Sequence, residues 1–517
     1  MNPITTISTV TVGGVNYYLP QTIADLTAIV SDATAANKKI SMRGSGHSFP
    51  LIPNQEAGDY GNTTYLLLSY FNSVSFNDEA MQVTVGGGCH LGYDPYDPTP
   101  ESTGVKSTDA NSLFTQVFDH GWAIPEMGGI KHQTVGGFLS TGSSGGSLKY
   151  SFDEMIESIT LLTAESTPQL RTFSINDPDT DSFYAAGIAL GMFGIIVSVT
   201  FNCVATFNIR GAETATYAKD CPIDLFGSSS TNLQSFFEHT DYARLMWWPQ
   251  LNVQKMVVWQ ASQIPPEDGF TPKPYEEVRP LILGSEDPLT AAAGLLYSSI
   301  GYWPEWFLKV FKNVPGVSLA ADEITNLFYP HILPAILDVF VNVGENQPFQ
   351  DYWHTGLCMD NEMDDKLLPV KFTEIWIPMD SAQEVMLALQ SFYGVNGQNT
   401  ANTGYFSVEI YGAKASKFWM SPSYGSDMVR VDVFWFAKTD KDPVKELFQN
   451  YWDALESLNF RCHWGKYLPQ VLNGKPNGGE YLLSQYPNFN KWNAIRQSLD
   501  PQGIFISQYW QNQLGLS

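Results

Sequence analysis

His47 stands between two small residues in the run Arg-Gly-Ser-Gly-His-Ser at positions 43–48. An imidazole in such a turn can bond to nearby backbone, or it can act as a nucleophile on a cofactor; composition leaves both open. Two further glycine-rich runs fall within the first 150 residues: Val-Gly-Gly-Gly at 85–88, and the stretch from Gly128-Gly129 through Gly145-Gly146. Glycine lets the main chain approach a ligand closely and turn its N–H groups toward phosphate oxygens. No GxxxxGK[ST] occurs, and no GxGxxG lies between a strand and a helix, so neither familiar phosphate loop is present. Three such loops in one strand–helix region predict a site for a large phosphate-bearing cofactor. The five cysteines (Cys89, Cys203, Cys221, Cys358, Cys462) form no CxxC. That argues against a disulfide framework and against zinc, and no metal site is expected. Cys89, just after the second loop, reads as a small buried residue.

The elements that must carry these loops are legible in outline. Thr22-Ile-Ala-Asp25 has the spacing of a capping box, and Ile23, Leu26, Ile29, Val30 and Ala33 follow at helical intervals. Residues 39–43 read as a strand feeding the first loop, and 65–70 and 81–85 as further strands. Leu113, Phe114, Val117 and Phe118 share one helix face, stopped by Gly121. From about 262 to 345 no clean period emerges. Beyond it, 372–378, 405–411 and 428–436 alternate as strands do. Helices are predicted over 381–393, opening with Ser381 and Glu384, after Asp442-Pro443, and around Phe489–Leu499.

Composition narrows the function. The chain has 517 residues, long enough for two or three domains, and its 44% hydrophobic content excludes wholesale disorder. With 53 acidic against 28 basic residues the net charge is −25, which disfavours nucleic acid and acidic membranes as partners. The uncharged stretches 182–209 and 289–304 raise the question of a membrane span. The first holds three glycines and ends in strand-like alternation, and the second is shorter than the roughly 20 residues a spanning helix needs. No secretory signal is visible at the N-terminus, so a soluble, cytoplasmic protein is expected.

Several runs together resemble a known family. Residues 43–48, Gly-Trp-Ala-Ile-Pro at 121–125, Gln-Thr-Val-Gly-Gly-Phe-Leu-Ser-Thr-Gly at 133–142 and Phe-Gly-Ile-Ile-Val-Ser-Val-Thr at 193–200 resemble the flavin-binding domain of the vanillyl-alcohol oxidase / p-cresol methylhydroxylase superfamily. Val-Glu-Ile-Tyr at 408–411, Met-Ser-Pro-Ser-Tyr-Gly at 420–425, His-Trp-Gly-Lys at 463–466 and Asp-Pro-Gln-Gly-Ile-Phe at 500–505 resemble its aldonolactone and alditol oxidase branch. The likeness covers residues 18–210 and 370–515.

The resemblance implies an α+β fold: a two-part FAD-binding domain (1–210), a cap domain of antiparallel sheet plus helices (211–465), and a C-terminal segment (466–517) returning to the first domain. It implies FAD held by Arg43, Gly44, Ser45, Gly46, His47, Ser48, Gly128, Gly129, Thr134, Val135, Gly136, Gly137, Ser140, Gly142, Ile195 and Val197. The flavin would be linked covalently through its 8α-methyl group to His47. Some relatives carry a second link through a cysteine at the position of His132, so a bond of that kind is not expected here.

For catalysis the resemblance points to Lys466 beside the flavin and to Glu409 orienting the substrate. The residue two positions after that glutamate is usually arginine; here it is Tyr411, which deprives Glu409 of a cationic neighbour and offers a single hydroxyl instead. Glu374, alternating in the same sense as Trp376, is a second candidate carboxylate, or else a solvated strand residue. A glycine at the position of Gly128 opens a path for dioxygen in that branch. The expected activity is therefore an oxidase: hydride passes from an alcohol, polyol or aldonolactone to flavin N5, and dioxygen returns the flavin to its oxidised form, giving hydrogen peroxide. The aromatic, Pro-rich segment 289–340 and the missing arginine support an alternative, a bulky sterol-like alcohol. A non-catalytic ligand-binding protein is the reading from a different class.

Overall fold

Thr22 accepts a hydrogen bond from the Asp25 N–H (3.1 Å) while the Asp25 carboxylate accepts from the Thr22 N–H (3.0 Å), so the predicted capping box is formed. The helix it starts, Ile23–Ala36, ends at Asn37 in the left-handed conformation (φ 52°) and buries Leu26, Ile29, Val30 and Ala33. These pack with Ile40, Leu66, Ile195, Ile504 and Phe505, joining residues from both ends of the chain. The computed structural model describes residues 3–51, 62–275, 333–359, 370–437 and 441–516, with the single residues His331 and Thr439. The segments 289–304 and most of 289–340, singled out in the sequence, lie outside the described residues.

Two sheets make the first part. Strands β1 (Thr9–Val12), β2 (Val15–Tyr18), β3 (Lys39–Arg43) and β4 (Thr63–Leu67) form one, in the order β1-β2-β4-β3. Its hairpin β1/β2 is antiparallel, and β4 pairs parallel with both β2 and β3. The other sheet is antiparallel. It contains β5 (Val74–Asn77) and β6 (Gln82–Gly86); after the short β7 (Trp122–Ala123) come β8 (Ile156–Ala164), β9 (Pro168–Ser174) and β10 (Ile195–Asn202), giving the order β5-β6-β10-β8-β9. The two-residue β11 (Val204–Ala205) pairs with β7. Gly87 extends the pairing of β6 with β10, its N–H bonding to Val197 O (2.9 Å), and Gly88 lets this sheet meet the end of β4, its N–H bonding to Phe71 O (2.9 Å). A Cβ at Gly88 would stand 1.9 Å from Leu68 O, so these glycines serve main-chain packing as well as any ligand.

The second part is one antiparallel sheet of eight strands: β12 (Asn208–Tyr217), β13 (Tyr242–Trp248), β14 (Lys255–Ile264), β15 (Asn346–Tyr352), β16 (Val370–Pro378), β17 (Val408–Ala413), β18 (Met428–Phe436) and β19 (Arg461–Cys462). Their order is β15-β12-β14-β13-β17-β18-β16-β19. Helices Leu233–His239, Ala382–Tyr393 and Gln449–Leu455 bury Phe237, Val385, Leu389, Tyr451 and Trp452. The Trp452 indole N–H donates to Thr373 Oγ1 (3.0 Å), which assigns one face of β16 to this helical layer. Strand side chains alternate, so Glu374 and Trp376 lie on the opposite face. Ser381 departs from expectation: it makes no capping hydrogen bond. A 3-10 turn, Met379–Ser381, runs directly into the helix, and the Ala382 N–H bonds to Met379 O instead.

The C-terminal segment returns to the first sheet, where the Ile40 N–H bonds to Ile504 O (2.7 Å) and Lys39 Nζ to Gly503 O (2.8 Å). Among the described residues no helix is long and apolar enough to cross a membrane, and no group of acidic, histidine or cysteine side chains is arranged to hold a metal ion. Gly88→Ala tests the close approach of the sheets. The added methyl must displace Leu68 backbone, and a loss of roughly 1–3 kcal/mol is expected, read as a lowered thermal midpoint; an unchanged midpoint would show that the contact is slack.

Candidate active site

A cleft opens between the two sheets of the first part, walled by main chain of the Gly44–Ser48 run, Gly87, Gly88, Gly136, Gly137 and Gly191. Thr134 caps the helix Val135–Thr141 by accepting from the Gly137 N–H (3.2 Å), and this fixes one wall. Arg43 leans on the Tyr17 ring (5.8 Å to its centroid), yet its buried Nε makes no hydrogen bond among the described residues. Buried donors are nearly always paired, so this one calls for an acceptor from outside the protein. A guanidinium edge beside a cradle of glycine backbone fits a dinucleotide with its pyrophosphate. His47 also lines the cleft, and its Nε2 lies 3.1 Å from His132 O. A carbonyl only accepts, so Nε2 carries the proton, and in the neutral ring the lone pair belongs to Nδ1.

Two residues of the second part reach this cleft, His463 and Lys466. Both follow β19 in a turn. The Gly465 N–H donates to His463 Nδ1 (3.0 Å), so the proton is on Nε2, which donates to Ser143 Oγ (3.0 Å) on the far wall. Burial pushes the His463 pKa down to about 4, leaving a neutral imidazole with one fixed tautomer at ordinary pH. Lys466 Nζ sits 3.8 Å from the centre of the Phe372 ring and 3.5 Å from His47 O, which brings its charge to the His47 turn.

Behind this pair the register of the large sheet assembles a buried polar face. Met246, Glu409, Asp432 and Glu374 are successive partners across β13, β17, β18 and β16; one step along, Arg244, Tyr411, Arg430 and Trp376 form the next row. Three carboxyl groups thus stand in one row and two guanidinium groups in the adjacent one. Tyr411 donates its hydroxyl proton to Glu409 Oε2, and Arg244 Nη1 lies 4.0 Å from Glu409 Oε1. Arg430 lies over the rings of Tyr411 (4.3 Å) and Trp376 (4.8 Å), 3.7 Å from Glu374 Oε1, and donates to Ser144 O (2.8 Å). Burial, reinforced by Glu374 and Glu409, holds the Asp432 carboxyl well above the usual range against the pull of Arg430 and Lys466. Asp432 therefore keeps its proton where an exposed aspartate would lose it.

Of the sequence-predicted cofactor residues, Arg43 through Ser48, Thr134, Gly136, Gly137 and Ser140 line the cleft. Val135 and Ile195 are buried in the core behind it, and Gly142 ends the helix whose capping residue is Thr134. Gly128, Gly129 and Val197 are not among the lining residues; a Cβ on Gly128 would stand 2.9 Å from Phe138 Cε2, and Phe138 does line the cleft. Cys89 is fully buried, and burial pushes its thiol up to about 12, in keeping with its reading as an inert core residue. Glu409, Tyr411 and Glu374 share one face, with Lys466 between it and the His47 turn; Glu374 is buried, not solvated. The expectation that Tyr411 strips Glu409 of cationic neighbours is overturned: the charge comes from Arg244 on the strand alongside. Arg244, Arg430, Asp432 and the His463–Ser143 pair were missed. Their one signal was charge at alternate positions within apolar strands, as in Met-Val-Arg-Val-Asp-Val at 428–433, and it says nothing of which strand is the neighbour.

Glu126 ties the loop carrying Ser144 in place, accepting from the Gly145 and Phe152 N–H groups, the latter at 3.1 Å. Burial nonetheless pushes its carboxyl from 4.5 up to about 7. Because the folded pKa exceeds the unfolded one, its contribution to stability is complete below about pH 4.5 and is lost as pH rises through about 7. Wild type should therefore lose about 3 kcal/mol relative to Glu126→Gln between pH 5 and pH 8, measured by parallel thermal melts; equal pH dependence in both proteins would refute the ionisation.

The chain matches the family model described as D-arabinono-1,4-lactone oxidase over residues 199–513, and an FAD binding domain over residues 16–93. It is 24% identical to the L-gulonolactone oxidase of Bos taurus over 498 residues, covering 95% of this chain and 93% of that protein. To the D-arabinono-1,4-lactone oxidase of Yarrowia lipolytica it is 26% identical over 549 residues, 97% and 94% of the two chains. The crystal structure of cholesterol oxidase from B. sterolicum superposes with a TM-score of 0.68 at 15% identity, covering 97% of this chain and 94% of that one, a likeness of fold. With a family match over more than half its length and a match to an FAD binding domain, the chain belongs to the D-arabinono-1,4-lactone oxidase family and is an FAD-dependent oxidoreductase of α+β architecture.

Proposed function

We propose that this protein oxidises a hydroxyl-bearing carbon of a sugar lactone to a carbonyl, with dioxygen as the electron acceptor and hydrogen peroxide as the second product. Residues 1–210 and 466–517 make the cofactor domain in this reading, and 211–465 the cap over the substrate. The observation that carries it is the buried polar face of β13, β17, β18 and β16. A polyhydroxylated, uncharged ring offers donors to Glu409, Asp432 and Glu374 and acceptors to Arg244 and Arg430. A sterol would bury the same groups without partners, at about 1–3 kcal/mol for each one left unsatisfied. The family match supports the same substrate class.

Bound FAD supplies the two-electron acceptor for the carbinol hydrogen and the route of those electrons to dioxygen. The protein supplies orientation and charge. Tyr411 holds Glu409 by its hydroxyl proton, and a carboxylate has lone pairs enough to accept a substrate hydroxyl as well. Glu409 is thus the base toward the reacting hydroxyl. Lys466 keeps positive charge at the His47 turn, where it would favour an anionic form of a bound cofactor, and neutral His463 holds Ser143 in the cleft wall. Glu374 acts as a second carboxylate for the substrate. His47, whose Nε2 is turned to His132 O, would be the residue through which the flavin is held to the chain.

Two measurements test this. Purified holoenzyme screened against L-gulono-1,4-lactone, D-arabinono-1,4-lactone, xylitol and cholesterol should release peroxide with the lactones; turnover of cholesterol with none of the sugars would overturn the assignment. Acid precipitation should leave a yellow pellet from wild type and a colourless one from His47→Ala. Colour released from wild type into the supernatant would refute the covalent link.

A further inference from the structure

Four buried polar atoms on adjacent strands of the large sheet make no hydrogen bond among the described residues: Arg430 Nε, Trp376 Nε1, Glu374 Oε1 and Asp432 Oδ1. Their residues are 4%, 1%, 6% and 5% exposed, so bulk water does not serve them. They are not scattered. Asp432 pairs with Glu374, and Arg430 with Trp376, at alternate positions of β16 and β18, which sets all four side chains on the face that carries Glu409 and Tyr411. The Arg430 guanidinium is clasped between the Trp376 and Tyr411 rings, so its faces are taken and only its edge can donate. That edge is already fixed at one end by Ser144 O, and Glu374 stands at ion-pair distance.

Leaving one buried polar atom unsatisfied costs about 1–3 kcal/mol, and a fold that leaves four together has a partner for them. Two of these atoms donate, and the carboxyl oxygens accept. The complementary ligand fragment has adjacent oxygens that each donate and accept, which is the property of two neighbouring hydroxyl groups. An anion would meet the Glu374 carboxylate; a cation would meet Arg430. An apolar ring would satisfy none of the four.

We propose that Arg430, Trp376, Glu374 and Asp432 form a subsite for a vicinal diol of the substrate, distinct from the Glu409–Tyr411 pair at the reacting carbon. The subsite rests on the sugar-lactone reading and makes it narrower: specificity comes from two hydroxyls that do not react. Arg430 and Trp376 in this scheme donate to the ligand directly from β18 and β16.

The test uses binding in the absence of turnover. Holoenzyme reduced under argon is titrated calorimetrically with L-gulono-1,4-lactone and with an analogue lacking one of its adjacent hydroxyls. Wild type should favour the full lactone by tenfold or more. Trp376→Phe keeps a ring but loses the indole N–H, and Arg430→Gln loses the guanidinium; each should bring the two ligands to within about threefold, with the flavin spectrum unchanged. Trp376→Phe serves as the readout should Arg430→Gln fail to fold. Variants that retain the tenfold preference, or that lose only thermal stability, would overturn the subsite while leaving the lactone reading intact. A wild type that binds neither ligand and releases peroxide with no lactone would sink both.

Discussion

Register on three neighbouring strands is the constraint on which this site depends. Because Glu409 faces Asp432 and Asp432 faces Glu374, three carboxyl groups share a row; because Tyr411 faces Arg430 and Arg430 faces Trp376, the compensating charge stands one step away. A slip of one residue in β18 would turn Arg430 and Asp432 toward the helical layer and bring Val429 and Val431 to the site. The charges make that slip prohibitive, since removing one partner of a buried ionic group costs about 3–5 kcal/mol. The apolar alternation of the other face enforces the same register from behind, through Ile375, Val431 and Val433.

The polar face would be idle without a fixed relation to the cleft. That relation is made by a few hydrogen bonds between the first part of the chain and the large sheet. Arg430 bonds to Ser144 O, His463 to Ser143 Oγ, and Ala243 N to Gly146 O (2.8 Å), all within one glycine- and serine-rich loop. Glu126 holds that loop from below. The buried polar face and the glycine-walled cleft are therefore tied to one another through a single short loop. Burial keeps His463 neutral, so its bond to Ser143 retains one sense over the ordinary pH range.

Much of this was legible from residue order. The capping box at Thr22, the strand into the first glycine loop, the inward faces at Leu113–Asp119 and Phe489–Leu499 and the alternation of β16 and β18 all follow local rules. Ser381 misled because a helix can be entered from a preceding 3-10 turn as readily as from a side-chain cap. Glu374 was ambiguous for a different reason: alternation tells that two residues share a face, but not whether that face is covered.

What the sequence determined by itself was the family, since the loops around His47, Thr134 and Lys466 are contiguous runs whose residue types stand together in the chain whatever they bond to. What only the tertiary structure decided was the charge around Glu409. Arg244 and Arg430 lie 165 and 21 positions from it in the chain, and nothing local to either residue names its neighbour. Strand pairing is a long-range choice, made by the burial of whole faces at once, and so the cation that residue 411 does not provide comes from the strands on either side.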